Sequence, residues 1–308
     1  MRVLITGGQG NLGLWLTRYF LEKGHDVVVV SRKQKIQVDH ENFTFTSADI
    51  TNLDSLKSAI SIYFDVCIHA ASYNEHFHEA YAEKALLVNS LGTEYLCQAL
   101  NVNGVGKLIY LSTFHVYGVN DGVILENTPV NPINDYGLTH YFAEKYIQKH
   151  GTTSKLDYSI LRLTNGYGCP VDRHTDKWYL LLNDLCRQAI TSNKLVLSSS
   201  GRARRDFIWM QDVCNAIELI SADCARKDKV FNLSSGMSFS VMSVAEYVQK
   251  AFLDLHDVFI PIQVNENDLA VYKDLVVSNE RLKNTINLEF SDRIYYEAIN
   301  ILKMLGGE

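Results

Sequence analysis

Residues 4–16 read LITGGQGNLGLWL, and the punctuation of this stretch decides the fold. An apolar run, RVLIT, stops where Gly7 begins a turn, and the apolar-periodic stretch LGLWLTRYFLEKG follows. That stretch closes on Gly24, as a helix C-cap would. Gly7, Gly10 and Gly13 are spaced G-x-x-G-x-x-G across this strand–turn–helix boundary. Glycines there permit a tight turn and let backbone approach a pyrophosphate at a helix N-terminus, where unpaired amides and the helix dipole favour an anion. A glycine trio alone is a weak sign of nucleotide binding; its place at the first strand-to-helix turn gives it weight.

Outward from this turn, strand-like runs alternate with helical patterns: HDVVVVS, FTFTSAD, DVCIHAA, KLIYLST and LDYSILRL. Such alternation predicts an α/β fold, a Rossmann-like doubly wound parallel sheet with helices on both faces. Beyond it the pattern is less regular, with a helix near 176–191, strands at KLVLSS and VFNLSS, and helices near 241–253 and 292–305. The expected organisation is a dinucleotide-binding part, 1–165, interleaved with a smaller mixed α/β substrate lobe, 166–308.

With 308 residues, 47% of them apolar, the chain can bury a large core. A net charge of −6 argues against nucleic acid as a partner, and Arg202, Arg204 and Arg205 form only a short cluster without interleaved aromatics. The six cysteines, at 67, 97, 169, 186, 214 and 224, contain no C-x-x-C pair and read as reduced thiols of a cytoplasmic protein. RVLIT follows Met1 directly, without a signal-peptide pattern, and apolar runs such as DVVVV are too short to cross a bilayer, so no membrane partner is expected. In NEHFHEAYAEK, His76 and His78 diverge on a helix and lack a third ligand at zinc-like spacing, so no metal is expected.

The second strand ends at VVVVSRK. A 2′-hydroxyl is usually held there by an acidic residue, whereas a 2′-phosphate needs cations. Ser31, Arg32 and Lys33 offer a hydroxyl and two positive charges, which favours NADP(H) with NAD(H) as the alternative.

The stretch NDYGLTHYFAEKY, residues 134–146, contains a Y-x-x-x-K pair in Tyr141 and Lys145, while Tyr136 has His140 four residues on. The surrounding motifs decide between the tyrosines. TGGQGNLG, SADITN, CIHAAS, VNSLGT, YLSTFHVYG, PVNPINDYGLTH, LRLTNGYGCP and RRDFIWMQDV occur in an order that resembles the extended short-chain dehydrogenase/reductase family, the nucleotide-sugar epimerases, dehydratases and reductases. The resemblance runs over nearly the whole chain. It implies that Gly7, Gly10, Asn11, Leu12 and Gly13 follow the pyrophosphate, Asp49 and Ile50 the adenine, and Ala70, Ala71 and Asn89 the rest of the dinucleotide.

It also makes Tyr136 the general acid or base. Tyr141 lies five residues further on, about 140° around a helix at about 100° per residue, so it points elsewhere. His140 then stands where the family has a lysine that holds the nicotinamide ribose and lowers the phenol pKa. A histidine starts near 6.5, so a neutral His140 acidifies Tyr136 less and leans toward ketone reduction. Thr113 would hydrogen-bond the sugar oxygen, Arg205 would clamp the diphosphate, and Asn165 and Asn183 would contact substrate. Trp209 stands where the family often has histidine.

The expectation is an NADP(H)-dependent reductase of a keto sugar on a nucleoside diphosphate, acting at carbon 4. The family implies a homodimer through helices near 80–101 and 137–150. The nearest alternative is an epimerase that retains its nucleotide. A dehydratase would want an acid where Phe114 and His115 follow Thr113. A non-catalytic dinucleotide-binding protein is the third alternative.

Overall fold

A computed structural model of the chain describes residues 1–74, 81–222 and 229–307. His76, His78 and Cys224 lie outside these residues. The strands are β1 (Arg2–Thr6), β2 (Asp26–Ser31), β3 (Phe43–Ser47), β4 (Phe64–His69), β5 (Val105–Thr113), β6 (Gly122–Ile124) and β7 (Tyr158–Leu163). They continue with β8 (Asn165–Tyr167), β9 (Leu195–Val196), β10 (Arg204–Trp209), β11 (Val230–Leu233), β12 (Ser238–Ser240), β13 (Ile262–Gln263) and β14 (Leu275–Val277). The helices are α1 (Asn11–Glu22), α2 (Leu53–Ala59), α3 (Tyr81–Ala85), α4 (Gly92–Asn103) and α5 (Asp135–Thr153). After them come α6 (Leu181–Ser192), α7 (Met210–Ser221), α8 (Val241–His256), α9 (Glu280–Lys283) and α10 (Ile294–Gly306).

The chain forms two compact units. The first comprises Met1–Val119, Glu126–Leu163 and Cys214–Asn232, and the second Asn120–Leu125, Thr164–Val213 and Leu233–Glu308. The seven-stranded sheet runs in the order β11-β7-β5-β4-β1-β2-β3, and the pairs from β7 to β3 are parallel. This is the expected Rossmann-like α/β architecture. Its inner strands are β-branched and buried on both faces: Val3, Leu4 and Ile5 of β1, and Val66, Cys67 and Ile68 of β4, are at 1% exposure or less. The order reverses between β1 and β4, and ligands of open α/β sheets sit beyond the strand ends at such a switch point.

The second unit holds a three-stranded sheet, β12-β10-β8, and two two-stranded pairs, β13-β9 and β14-β6. Its core joins Leu182, Leu185 and Cys186 of α6 to Val244, Ala245 and Val248 of α8 and Ala298, Ile301 and Leu302 of α10. Each set recurs at three- and four-residue spacing, the stripe by which an amphipathic helix buries one face. Helix α6 begins at Leu181 rather than near 176, because the preceding residues form turns, such as Leu180 N to Lys177 O at 3.2 Å.

Candidate active site

The glycine turn packs against the end of β4. A Cβ on Gly7 would lie 2.7 Å from Ala71 Cα, so the turn and the residues Ala70 and Ala71 touch backbone to backbone at the switch point. Gly7 has φ +72°, and Gly10 N closes the turn on Gly7 O at 2.9 Å. A Cβ on Gly13 would come within 2.1 Å of Gly7 O, so α1 starts directly against the turn. Asn11 and Leu12 open that helix half-buried.

A residue that sequence reading missed ties this turn to the next loop. Gln9 is 4% exposed, and its Oε1 accepts from Lys35 N at 3.0 Å and Ile36 N at 2.8 Å. Ser31 is half-buried while Arg32 and Lys33 are exposed, and Ser47 Oγ donates to Arg32 O at 3.1 Å. Asp49 Oδ1 accepts from Thr51 N and Thr51 Oγ1 at 2.9 and 2.8 Å. These bonds, with the nearby Arg32 charge, hold its carboxyl below the ordinary range. Ile50 packs against Gly92, at the start of α4. Asn89 is buried and clamped: Oδ1 accepts from Tyr73 N at 2.6 Å, and Nδ2 donates to Tyr73 O and Thr139 Oγ1 at 3.1 and 3.0 Å.

Asn134 caps α5 by accepting from Gly137 N at 2.8 Å, which sets Tyr136 in the first helical turn. Tyr136, His140 and Glu144 then share one face at i, i+4, i+8. Across from them, Tyr110 and Ser112 share one face of β5 at i, i+2. The two stripes meet: Tyr110 Oη lies 2.6 Å from His140 Nδ1, and Ser112 Oγ donates to Glu144 Oε1 at 2.6 Å. The Tyr136 and His140 rings meet edge to face with centroids 4.5 Å apart, and His115 stands 5.7 Å from Tyr136. Thr113, buried at the end of β5, accepts from His115 N at 3.2 Å.

Beneath this group lies a buried ion pair. Arg162 Nε and Nη2 donate to Glu144 Oε1 and Oε2 at 3.0 and 2.7 Å, and the guanidinium sits 4.8 Å from the Tyr117 ring centroid. One strand further, His69 Nδ1 lies 2.7 Å from Thr6 Oγ1, and its Nε2 lies 2.8 Å from Thr93 Oγ1. Burial is the main cause that lowers His140 to about 3, with His69 and His115 adding to it. His140 is therefore uncharged at neutral pH, chiefly through desolvation. His140 Nε2 is buried and has no hydrogen-bond partner among the described residues. Tyr141 belongs to a different group, with Lys145 Nζ 4.8 Å from its ring centroid and bound to Gln148 at 3.1 Å.

In the second unit, Asn165 of β8 pairs with Phe207 of β10, two residues from Arg205. Asn165 Nδ2 donates to Asp206 O at 2.8 Å. Arg205 is exposed, its neighbours lower its pKa by partial desolvation, and no described carboxylate pairs with it. Buried Asp206 accepts from Thr164 Oγ1 at 2.6 Å and Ser235 N at 3.1 Å, and burial raises its carboxyl to about 6. Asn183 is buried in α6, its Nδ2 donating to Lys177 O at 3.0 Å. Trp209 Nε1 donates to Glu297 Oε1 at 3.1 Å, so the indole is anchored within its own unit.

Among the described residues, no group of three or more His, Cys, Asp or Glu could hold a metal, and no helix is long and apolar enough to cross a membrane.

The sequence profile of the NAD dependent epimerase/dehydratase family matches residues 3–234. The chain belongs to that family. As a member it is an enzyme of the extended short-chain dehydrogenase/reductase type, as its motif order implied. A UDP-glucose 4-epimerase of Halalkalibacterium halodurans is 28% identical over 311 residues, covering 94% of this chain and 90% of that protein. Among solved structures, UDP-N-acetylglucosamine 4-epimerase from Methanobrevibacter ruminantium M1, in complex with UDP-N-acetylmuramic acid, superposes with TM-score 0.85. It is 20% identical, with 99% of this chain and 98% of that chain covered. UDP-glucuronic acid 4-epimerase from Bacillus cereus, in complex with NAD, gives TM-score 0.84 at 18% identity, covering 100% and 99% of the two chains. The two structural likenesses speak for the fold.

Proposed function

We propose that this enzyme interconverts the carbon-4 epimers of a UDP-linked sugar and keeps its nicotinamide dinucleotide bound between turnovers. The observation that carries the dinucleotide-dependent chemistry is buried His140 beside Tyr136, with Nε2 unpartnered among the described residues. The names of the relatives supply the direction, since those above are 4-epimerases.

A dinucleotide fits the residues present. The cradle of Gly7 and Gly13 leaves no room for side chains, and His140 offers an open buried nitrogen for a ribose hydroxyl. The NAD in one structural neighbour supports NAD as the resident form, whereas exposed Arg32 and Lys33 keep NADP in view. A bound nicotinamide would supply the hydride acceptor and donor for the sugar carbon. Tyr136 takes the proton of the 4-hydroxyl as the ketone forms and gives it back to the opposite epimer. Thr113 orients that oxygen, and Asn165 and Arg205 hold the diphosphate side of the substrate, where an exposed guanidinium without a described carboxylate partner suits an anion.

The reductase with NADP(H) stands as the second reading, because a neutral His140 does little to favour the phenolate that alcohol oxidation needs. One experiment separates the two. The protein is denatured to identify any dinucleotide it releases, and fresh protein is incubated with UDP-glucose or UDP-N-acetylglucosamine without added cofactor. Released NAD and accumulation of the 4-epimer, abolished by Tyr136→Phe, are expected. A protein that releases no dinucleotide, leaves both sugars unchanged and oxidises added NADPH mole for mole with a UDP-4-keto sugar would make it a reductase.

A homodimer is part of the proposal. Leu86 and Leu87 in the π-helical turn Leu86–Leu91, and Leu138 and Phe142 on α5, are each more than a third exposed, and these two segments pack together. Both segments thus carry exposed apolar side chains in the region where the resemblance implies pairing.

A further inference from the structure

The hydrogen bonds around the two buried histidines of the first unit can be followed proton by proton. Thr93 Oγ1 donates to Asn89 O at 2.6 Å, so its proton is already engaged. His69 Nε2, 2.8 Å from the same oxygen, must then be the donor, which leaves His69 Nδ1 to accept from Thr6 Oγ1. His69 is the Nε2–H tautomer, fixed by a hydroxyl on its Nδ1 side.

His140 repeats this arrangement one strand over. Tyr110 is 1% exposed, and its hydroxyl has one hydrogen-bond partner among the described residues, His140 Nδ1 at 2.6 Å. If Nδ1 carried the proton, the phenolic hydrogen would be a buried donor without an acceptor, and Nε2 would be a buried acceptor without a donor. If Nδ1 accepts from Tyr110, the phenol is satisfied and a single N–H, on Nε2, remains to be used. Neither side chain is charged: burial pushes the Tyr110 phenol well above its ordinary pKa and lowers His140.

We propose that Tyr110 is a positioning residue that sets His140 as its Nε2–H tautomer, so that this N–H is the donor offered to a ribose hydroxyl of the bound dinucleotide. The ribose half rests on the function proposed above; the tautomer half does not. In this way a neutral imidazole supplies the donor that an ammonium supplies elsewhere in the family, while contributing no charge.

The test is nitrogen NMR on protein with 15N-labelled histidine, together with calorimetric titration of the emptied protein with NAD. A protonated, pyrrole-like Nε2 and a hydrogen-bonded, pyridine-like Nδ1 are expected for His140. In Tyr110→Phe the Nδ1–H form should appear, and the NAD dissociation constant should rise about five- to tenfold, the scale of one hydrogen bond. Nδ1–H in the unsubstituted protein, or a tautomer unmoved in Tyr110→Phe, overturns the proposal. The spectrum of the unsubstituted protein decides the tautomer even if that variant misfolds. If Nε2–H is found but His140→Ala binds NAD as tightly as before, the ribose half and the functional reading of His140 fall together, while Tyr110 keeps its role.

Discussion

Tyr136 and His140 lie one helical turn apart on α5, their rings edge to face at 4.5 Å between centroids. A positive charge at the second position would lie within the distance at which it lowers a phenol pKa by about 1–3 units. Neutral His140 adds no such charge. His140→Lys should therefore move the acidic limb of kcat/KM against pH to lower pH by about 1 unit or more. A limb that stays in place would show that Tyr136 does not set it.

This relationship also marks where sequence reading stopped. Tyr136 and His140 were legible because a helix brings i and i+4 together and because the motif order resembles a known family. The parallel sheet and the glycine turn were legible for a similar reason: VVVV and the Gly7–Gly13 spacing leave few backbone options. The polar layer behind the site was not. Nothing in KLIYLST sets Tyr110 and Ser112 apart, and Glu144 belongs to none of the motifs, until both stripes are placed face to face. The available signal was Glu144 falling on the Tyr136–His140 face. It could not be used without knowing that β5 presents hydroxyls there and that Arg162 arrives from β7. Gln9 carried even less signal, since its partners are backbone amides.

The Glu144–Arg162 pair carries a stability consequence. Glu144 is fully buried, and Arg162 is 5% exposed. Removing one partner strands a buried charge, whereas replacing both with apolar groups of similar size removes the desolvation cost with the attraction. Glu144→Ala should destabilise the protein by about 3–5 kcal/mol, and Glu144→Leu with Arg162→Met should cost far less than the sum of the two single changes. Urea unfolding of the three variants measures this. Additive losses would mean that the pair is not coupled.

Acid should weaken the fold earlier than carboxylate protonation would. His69 and His140 are both lowered to about 3, chiefly by burial, from an ordinary value of 6.5. Between those values the unfolded chain binds the protons and the native state does not. The stability each contributes is thus complete above 6.5 and is lost as pH falls from 6.5 toward 3. Thermal unfolding followed from pH 7.5 to pH 4 should show a steep decline, made shallower by His140→Gln. An unchanged slope in that variant would show that His140 is not held neutral by burial.

Arg205 offers the sharpest check on the substrate side. Its guanidinium is exposed, with no described carboxylate beside it, and its fork can meet a diphosphate bidentately. A charge-assisted hydrogen bond is worth about 1.5–3 kcal/mol, so Arg205→Ala should weaken UDP binding about 10- to 100-fold. Because Arg205 lies in the second unit and the dinucleotide cradle in the first, NAD binding should be unaffected. Calorimetric titration of the variant with UDP and with NAD, separately, reads both. Loss of NAD affinity along with UDP would point to a general folding defect. Undiminished UDP affinity would move the diphosphate contact away from Arg205 altogether.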